Sequence, residues 1–328
     1  METKQIEIDH RSTVTAASGW AGNRLRLGFR CLLAVSLLAA LASPTVAAEP
    51  TAAFPAVSIS TDQVYGTAEG VKLLCDVYRP ADPAAAAQQR PAVLLIHGGA
   101  WSAGSRRTMT SYAMRLARAG IIAIAVDYRL APTWKFPAQV DDVRLAMLWT
   151  VGQAAELGID PARIGLFGYS AGGHLACLIG TLVDEPLETQ LSTTKWSRDD
   201  QRLAKLPQPQ AICAGGPPCD LTTLHPDSTG LAYFLGGKLV DLPEVYTAAS
   251  PLSHASSGDI PTLYVHGERD AIVPLQSSQA LYEAQREAGV ASEFVTIEKQ
   301  GHLMTFLNPK TGEAMVEFFL KQFARAAP

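Results

Sequence analysis

Short apolar runs that end in polar residues recur along this chain and constrain its fold more than any other feature. AVLLIHGG and IIAIAVDY are continuous apolar runs, which are typical of strands buried on both faces, whereas VKLLCDVY alternates apolar and polar residues, as a half-buried strand does. The predicted strands are VKLLCDVY (71–78), AVLLIHGG (92–99), IIAIAVDY (121–128), RIGLFGYS (163–170), QAICAGG (210–216), TLYVHG (262–267) and EFVTIE (293–298). Segments with helical spacing lie between most of them, notably 111–120, 140–158, 171–181, 277–289 and, after the last strand, 312–324. This alternation predicts an α/β fold with a mostly parallel central sheet and helices on both faces.

Polar residues stand where these predicted strands end or shortly after. They are His97, Asp127, Ser170, Asp220, Asp270 and His302. Because ligands of open α/β sheets bind beyond the carboxyl ends of the strands, this edge is the predicted functional site. Two long stretches, 183–209 and 221–260, interrupt the alternation and are predicted to form a small lid or rim over it.

Composition and charge narrow the class of partner. The 328-residue chain is 48% hydrophobic and only 18% charged, which is typical of a globular protein with a large core. Its net charge of −4 and its lack of a basic stripe give no support for a nucleic-acid partner. No C-x-x-C spacing or His/Cys cluster suggests a metal, and we expect no cofactor. Oligomeric state is left open by the sequence.

The N-terminal segment differs in kind from the rest. Arg24, Arg26 and Arg30 precede the apolar run CLLAVSLLAALA (31–42), and small residues follow it. This pattern predicts a signal peptide over residues 1–48, an exported protein, and a single catalytic domain over residues 49–328. The apolar run is too short for a stable membrane anchor, so no membrane association is expected after cleavage. An exported protein permits disulfides, and Cys213 and Cys219, which flank AGGPP, are a candidate pair.

Ser170 is the candidate nucleophile. Gly168-Tyr169-Ser170-Ala171-Gly172 matches G-x-S-x-G and lies between a predicted strand and a predicted helix. The turn is sharp and strained, so its neighbours have to be small. The helix N-terminus that follows directs backbone N–H groups and a positive dipole end at a reacting carbonyl. The alternative interpretation of the motif is a glycine turn that serves packing alone.

A serine hydroxyl needs a base, and the base needs an orienting acid. His302 is the only histidine after the acidic candidates and is the predicted base. Asp270, just past a buried strand, is the predicted acid, with Glu268 and Asp220 as alternatives. His174 follows Ser170 by one helical turn, but a helix held against the sheet cannot bring it across the serine, and we expect it to pack locally.

The HGGAW loop (97–101) supplies the predicted oxyanion hole. Its glycines let bare N–H groups turn toward the site, so Gly98 or Gly99 is expected to act together with the N–H of Ala171. The sequence does not decide among Gly98, Gly99 and Ala100. His97 and Asp127 are expected to hold this loop by hydrogen bonds. Trp101 and Tyr169 are the predicted substrate-binding residues.

Taken together, HGGAW, DYRLAP (127–132), FPAQVDD (136–142), GYSAGGHLA, HGERDAIVP and the glycine before His302 resemble the α/β-hydrolase fold serine esterases. The likeness is to the feruloyl-esterase-like and acetylesterase-like carbohydrate esterases, near the hormone-sensitive-lipase-like esterases. This resemblance extends from about Val57 to Phe323. The resemblance implies a triad of Ser170, Asp270 and His302. Departures at Thr133-Trp134-Lys135 and in GPPCDL (216–221) concern substrate identity.

The resemblance implies a serine carboxylester hydrolase that acts through an acyl-enzyme on a small-molecule or polysaccharide-linked ester. Acetyl or feruloyl esters are the expected substrates. A prolyl-oligopeptidase-like peptidase and an arylformamidase-like amidase are the alternative enzymes. A binding protein without activity is the non-enzyme alternative, but such proteins usually lose a triad residue.

Overall fold

The computed structural model describes residues 56–81 and 89–325, and one eight-stranded sheet organises this part of the chain. Its strands are β1 (Val57–Ala68), β2 (Val71–Pro80), β3 (Arg90–Ile96), β4 (Ile122–Val126), β5 (Ile159–Tyr169), β6 (Ala211–Gly215), β7 (Thr262–Gly267) and β8 (Glu293–Ile297). Their order across the sheet is β1-β2-β4-β3-β5-β6-β7-β8. β1 and β2 are antiparallel to their neighbours, and β3 to β8 run parallel. The sheet is therefore mostly parallel, as the sequence predicts.

Helices cover both faces of the sheet. They are α1 (Thr110–Arg118), α2 (Ala138–Gly152), α3 (Ala154–Leu157), α4 (Ala171–Thr181), α5 (Leu187–Ser192), α6 (Ala232–Leu235), α7 (Pro243–Ala248), α8 (Leu275–Glu287), α9 (His302–Leu307) and α10 (Pro309–Arg325). The predicted helix over 140–158 is two helices, because the chain turns at Gln153 between α2 and α3. His302 is the first residue of α9, which the sequence analysis does not predict.

Alternate residues of the strands enter two separate cores. On β3, Leu94 belongs to the core that holds residues of α2, α4 and α8, whereas Leu95 belongs to the core that holds residues of α1 and α10. Both side chains are fully buried. Burying an aliphatic side chain of this size stabilises the fold by about 1.5–3 kcal/mol. The sheet therefore has an apolar core on each face. The edge at which its strands end is the part left to form a site.

β1 is absent from the sequence prediction, and its burial pattern explains why. Most of its residues are partly or fully exposed, since it pairs only with β2 at the edge of the sheet. An edge strand that contributes little to the core has no continuous apolar run. Tyr65 is the exception, with 5% of its surface exposed.

The candidate disulfide between Cys213 and Cys219 is wrong. Both residues are free, buried thiols, as are Cys75 and Cys177. Cys213 lies in the core on the α1 and α10 face of the sheet, whereas Cys219 lies in the core on the opposite face with Cys177. The sheet therefore separates the two residues of the candidate pair. The predicted signal peptide over residues 1–48 lies outside the described residues.

Candidate active site

Ser170 lies at the apex of a strained turn between β5 and α4. Its φ of 56° and ψ of −121° place a non-glycine residue in a sparsely populated backbone region. The motif glycines permit this turn: a Cβ on Gly168 would overlap the Gly172 carbonyl, and one on Gly172 would overlap the Ile96 carbonyl. Small neighbours are therefore required for packing around the turn, in agreement with the G-x-S-x-G interpretation.

Backbone amides without a hydrogen-bond acceptor among the described residues lie in the two turns around Ser170. Ala171 opens the eleven-residue helix α4, and its N–H donates to no other described residue. The Gly99 N–H is also unused within the described ranges, and Gly99 has a φ of 118°. Gly98 approaches so closely that a Cβ there would lie 2.8 Å from the Tyr169 carbonyl oxygen and 3.2 Å from Ser170 Cβ. The structure thus brings Gly98, Gly99 and Ala171 together around the serine.

Hydrogen bonds hold the HGGAW loop in this position. His97 Nδ1 lies 2.8 Å from the Gly98 carbonyl oxygen, and its ring stacks on Tyr128 with centroids 4.2 Å apart. The Tyr128 hydroxyl donates to the His97 carbonyl at 3.0 Å. Burial lowers the pKa of His97, so the ring is neutral and its Nδ1–H serves as the donor. His97 supports the loop, as predicted.

An ionic cluster around the buried Arg106 side chain lies at the β1, β2 and β4 side of the sheet. The Arg106 guanidinium forms ion pairs with Asp62 of β1, Asp76 of β2 and Asp127 at the end of β4. Asp127 also accepts the Arg106 backbone N–H at 2.6 Å. Tyr65 of β1 donates to the Asp127 carbonyl at 2.5 Å. Asp127 therefore ties Arg106 to the edge strands; its hydrogen bonds go to this residue and to β1 and β2, instead of to the HGGAW loop that the sequence predicts for it.

Asp270 and His302, the predicted acid and base, contact each other directly. His302 Nδ1 lies 2.6 Å from Asp270 Oδ2, and Asp270 Oδ1 accepts the N–H groups of Ile272 and Val273 at 2.9 Å each. Because Nδ1 donates to the carboxylate, Nε2 is left as the acceptor that a general base requires. The carboxylate side chain is fully buried. This geometry supports Asp270 as the acid.

The two alternative acids are occupied elsewhere. Glu268 is exposed and accepts the Lys299 N–H at 2.7 Å. Asp220 accepts the N–H and the hydroxyl of Thr222 at 2.8 and 2.7 Å. Neither carboxylate makes a hydrogen bond to His302 within the described part of the chain.

The chain brings His302 and Ser170 to neighbouring stretches of backbone. Ser170 N–H donates to the Gly215 carbonyl at 2.7 Å, and the next residue, Gly216, lies against the His302 ring. Ser170 Oγ makes no hydrogen bond with the described residues, which is common for a nucleophile before substrate tightens the site. The three predicted triad residues thus meet at one edge of the sheet.

Tyr169 lies behind the nucleophile and does not line the cavity. It is 3% exposed, and its hydroxyl donates to the His302 carbonyl at 2.6 Å. Tyr169 is the last residue of β5, and its ring packs against the rings of His302 and Phe306. Its observed contact connects the serine turn to the histidine loop, instead of the substrate contact that the sequence analysis assigns to it.

Trp101 lines the cavity, as predicted, and His174 holds it there. The Trp101 ring stacks on Phe234 with centroids 4.2 Å apart, and its Nε1–H donates to His174 Nδ1 at 3.2 Å. His174 Nε2–H donates to the Ala249 carbonyl at 2.7 Å. Burial lowers the pKa of His174 to about 4. Both ring nitrogens are occupied by local partners, so His174 packs locally, as expected, and is not the base.

A cavity of about 790 Å³ opens beside Ser170 and Ala171. Its walls are mainly apolar and come from the HGGAW loop, the stretch after β6 and the start of α8. Asp220 is the only charged residue that lines it within the described ranges. The apolar and aromatic residues of the wall are Ala100, Trp101, Pro218, Leu221, Leu224, Leu231, Tyr233, Ile272, Val273, Pro274 and Ala280. Such a site suits an ester with an apolar portion.

Only one of the two predicted rim segments reaches this cavity. Segment 221–260 contributes Leu221, Leu224 and Tyr233, and the Tyr233 hydroxyl donates to the Ala100 carbonyl at 2.8 Å. Segment 183–209 instead packs on α2, where Arg144 donates to the Thr193 carbonyl at 2.9 Å. These lining residues are not predicted from the sequence, because an irregular segment carries no periodic signal that would place its side chains.

Two further features bear on partners. Within residues 56–81 and 89–325, no helix combines the length and the apolar character needed to cross a membrane. In the same ranges, His, Cys, Asp and Glu side chains form no group of three or more that could hold a metal ion.

The fold and the site together define the class of α/β-hydrolase fold serine esterases. The chain belongs to the BD-FAE family, whose model matches residues 75–285. The triad, oxyanion loop and most of the cavity wall fall in or beside this range, with His302 just beyond it.

Named relatives support this class. The chain is 31% identical over 239 residues to Esterase LipQ of Mycobacterium tuberculosis, which covers 71% of this chain and 54% of that one. It thus spans about half the length of that curated relative. A truncated carbohydrate esterase from gut microbiota has the same fold, with a TM-score of 0.70, 23% identity, and coverage of 84% of this chain and 99% of that one. A thermophilic esterase of Thermogutta terrifontis with bound propionate has a TM-score of 0.64 and 27% identity, over 83% and 96% of the two chains. The predicted α/β-hydrolase fold is confirmed.

Proposed function

We propose that this protein is an exported serine carboxylester hydrolase that acts through an acyl-enzyme on short-chain or carbohydrate-linked esters. The observation that carries the proposal is the 2.6 Å contact between His302 Nδ1 and Asp270 Oδ2, at the sheet edge where Ser170 and the unused amides lie. This set of groups supplies a nucleophile, a base with a fixed tautomer and donors for an oxyanion.

The proposed reaction has two halves. Ser170 Oγ bonds to the ester carbonyl carbon while its proton passes to His302 Nε2, and the Gly98, Gly99 and Ala171 amides stabilise the charged carbonyl oxygen. The bond to the alcohol oxygen then breaks, and His302 gives that oxygen the proton. Water repeats the sequence on the acyl-enzyme: His302 accepts its proton, the acid leaves, and Ser170 regains its hydrogen.

The cavity supports the proposed substrate range. Its apolar wall suits an acyl group such as butyryl or a planar aromatic group such as feruloyl. The related Thermogutta esterase binds propionate, the product of a short acyl ester. Acetyl and feruloyl esters of polysaccharides are therefore our proposed natural substrates. The N-terminal pattern of Arg24, Arg26, Arg30 and the apolar run 31–42 supports export.

Turnover of a substrate panel tests the proposal. The panel contains p-nitrophenyl acetate, butyrate and decanoate, methyl ferulate, acetylated xylan, an N-formyl aniline and a dipeptide naphthylamide. We expect hydrolysis of the short esters and of at least one carbohydrate-linked or feruloyl ester, with none of the dipeptide. Faster cleavage of the dipeptide or the formamide than of every ester would overturn the ester assignment.

The nucleophile is tested on the same protein. A fluorophosphonate should label the Ser170 peptide, as found by mass spectrometry, and Ser170→Ala should lose both labelling and hydrolysis while keeping its circular dichroism spectrum. Ser102→Ala, in the nearby loop but outside the cavity wall, is the matched control and should remain labelled. Labelling of Ser170→Ala at another serine, with activity intact, would contradict the mechanism.

A further inference from the structure

A second histidine, His266, lies against the carboxylate of the acid. His266 is on β7, four residues before Asp270, and it is fully buried. Its Nε2 lies 2.9 Å from the Val273 carbonyl oxygen and 3.3 Å from Asp270 Oδ2. Its Nδ1 lies 2.6 Å from Ser278 Oγ on α8. The proposed mechanism gives His266 no task, although it contacts the acid directly.

The hydrogen-bond partners fix the tautomer of His266. A carbonyl oxygen can only accept, so the nitrogen next to Val273 carries the hydrogen. Burial lowers the pKa of His266, so the ring is neutral and Nδ1 accepts a hydrogen bond from the Ser278 hydroxyl. The Nε2–H dipole is therefore directed at the Val273 carbonyl and lies beside Asp270 Oδ2.

Each oxygen of Asp270 then has two donors nearby. Oδ1 accepts the N–H groups of Ile272 and Val273, and Oδ2 faces His302 Nδ1 at 2.6 Å and His266 Nε2 at 3.3 Å. His266 also fixes the Val273 carbonyl, so it holds the turn whose amides bind Oδ1. Rotation of the carboxylate would separate it from both sets of donors.

We propose that His266 is a positioning residue for Asp270: its Nε2–H fixes the 270–273 turn and places a second positive dipole beside the oxygen that binds His302. This inference rests on the proposed function, because it concerns the acid of that reaction. The titratable groups that face Asp270 and His266 from other elements are His302 on α9 and Tyr169 on β5. Tyr169 remains neutral, because burial raises its pKa.

The direction of the pH effect follows from these contacts. Without the second dipole, the charge on Oδ2 is stabilised mainly by His302, so protonated His302 becomes more favourable. The inactive, protonated base then persists to higher pH. Removal of the His266 N–H is expected to move the acid limb of kcat against pH upward by about half a unit, and to lower kcat by about 5- to 30-fold with KM nearly unchanged.

Three variants separate positioning from simple stability. His266→Leu removes the N–H, whereas His266→Gln keeps an N–H for Val273 and an oxygen for Ser278. Tyr264→Phe is the matched control, because Tyr264 lies on the same strand and face, is buried, and bonds α8 through Gln285 Oε1 at 2.9 Å without touching Asp270. In His266→Leu we expect the upward shift of the acid limb and the lower kcat. In His266→Gln we expect kcat and the pH profile to be near wild type, and in Tyr264→Phe we expect wild-type values of both.

The results for the His266 variants distinguish a failure of the role proposed for His266 from a failure of the proposed function. Absence of esterase activity in the wild type would overturn the function itself. An active wild type with the same kcat and acid limb in His266→Leu as in Tyr264→Phe would overturn only the role of His266, as would equal damage in His266→Gln. Should His266→Leu not fold, Ser278→Ala releases the Nδ1 partner, and an unmoved acid limb in that variant would count against the proposal.

Discussion

The His302 ring lies directly against the backbone of Gly216, the residue that follows β6. A Cβ on Gly216 would lie 3.0 Å from His302 Cε1 and 3.2 Å from Nδ1. Gly216 has a φ of 51°, so glycine is favoured there for backbone as well as for space. The position of His302, the proposed base, thus depends on the absence of one methyl group.

Gly216→Ala is expected to displace His302 and to lower kcat at least about 10-fold with little change in KM. Gly158→Ala is the matched control: Gly158 has a φ of 71°, and a Cβ there would meet nothing within 4 Å. Both variants should lose about 1 kcal/mol of stability from backbone strain, measured by urea unfolding. Equal kcat values in the two variants would show that the contact with His302 has no effect.

Asp270→Asn is expected to lower kcat by about 10⁴-fold, because the amide favours the wrong tautomer of His302. The fold should persist, since the asparagine oxygen can still accept the Ile272 and Val273 N–H groups. Steady-state hydrolysis of p-nitrophenyl acetate measures the loss. Glu268→Gln serves as control and should keep wild-type kcat. A reversed order of the two effects would assign the acid to Glu268.

His174 makes stability depend on pH. Its pKa falls from 6.5 to about 4 in the folded state, so the unfolded chain binds more protons in that interval. The contribution is therefore fully present above pH 6.5 and declines as pH falls toward 4, by up to about 3 kcal/mol. His97 and His266 act in the same direction, so the wild type is compared with His174→Gln by urea unfolding at several pH values. The variant should lose less stability on acidification; parallel curves would contradict the assignment.

Ala280 tests the part of the cavity wall that α8 supplies. It lines the cavity from α8, and Ala280→Phe should reduce the space for the substrate. Hydrolysis of p-nitrophenyl hexanoate is expected to fall by about 10-fold or more in kcat/KM, and that of the acetate by less than about twofold. The acetate is the internal control, because it needs little of the cavity. Equal losses for both esters would indicate damage to the triad instead.

The buried thiols give a chemical test of the cores. Cys75, Cys177, Cys213 and Cys219 are free and buried, and burial raises the thiol pKa of Cys75 to about 12. Iodoacetamide should leave all four unmodified in the native protein and modify all four after unfolding without reductant. Mass spectrometry of the two samples reads this directly. Recovery of a peptide pair joined through Cys213 and Cys219 would contradict the structure.

The sequence predicts strands β2 to β8 and the candidate triad residues because both follow from local rules. A buried strand requires an apolar run, and the sharp turn at Ser170 requires small neighbours on either side. His302 is identified by elimination along the chain, and Asp270 by its place after β7.

Other features depend on contacts between distant segments. The hydroxyl of Tyr169 meets the His302 carbonyl, 133 residues away, so its role cannot be derived from its position beside Ser170. Leu221 and Tyr233 reach the cavity through an irregular segment without periodicity. Alternation along β6 does carry a signal against the Cys213–Cys219 pair, because Cys213 faces the opposite core from its neighbours Ile212 and Ala214.

The Arg106 cluster sets a lower limit on the length of a working fragment. The family match begins at residue 75, yet Asp62 and Tyr65 lie before it and reach Asp127 and Arg106 from β1. A recombinant fragment trimmed to the matched range would lose the Asp62 partner of the buried Arg106 guanidinium and the Tyr65 hydroxyl that donates to the Asp127 carbonyl. Gene-trimming or domain-shuffling experiments on this protein therefore need to retain an edge strand that contributes no residue to the cavity wall.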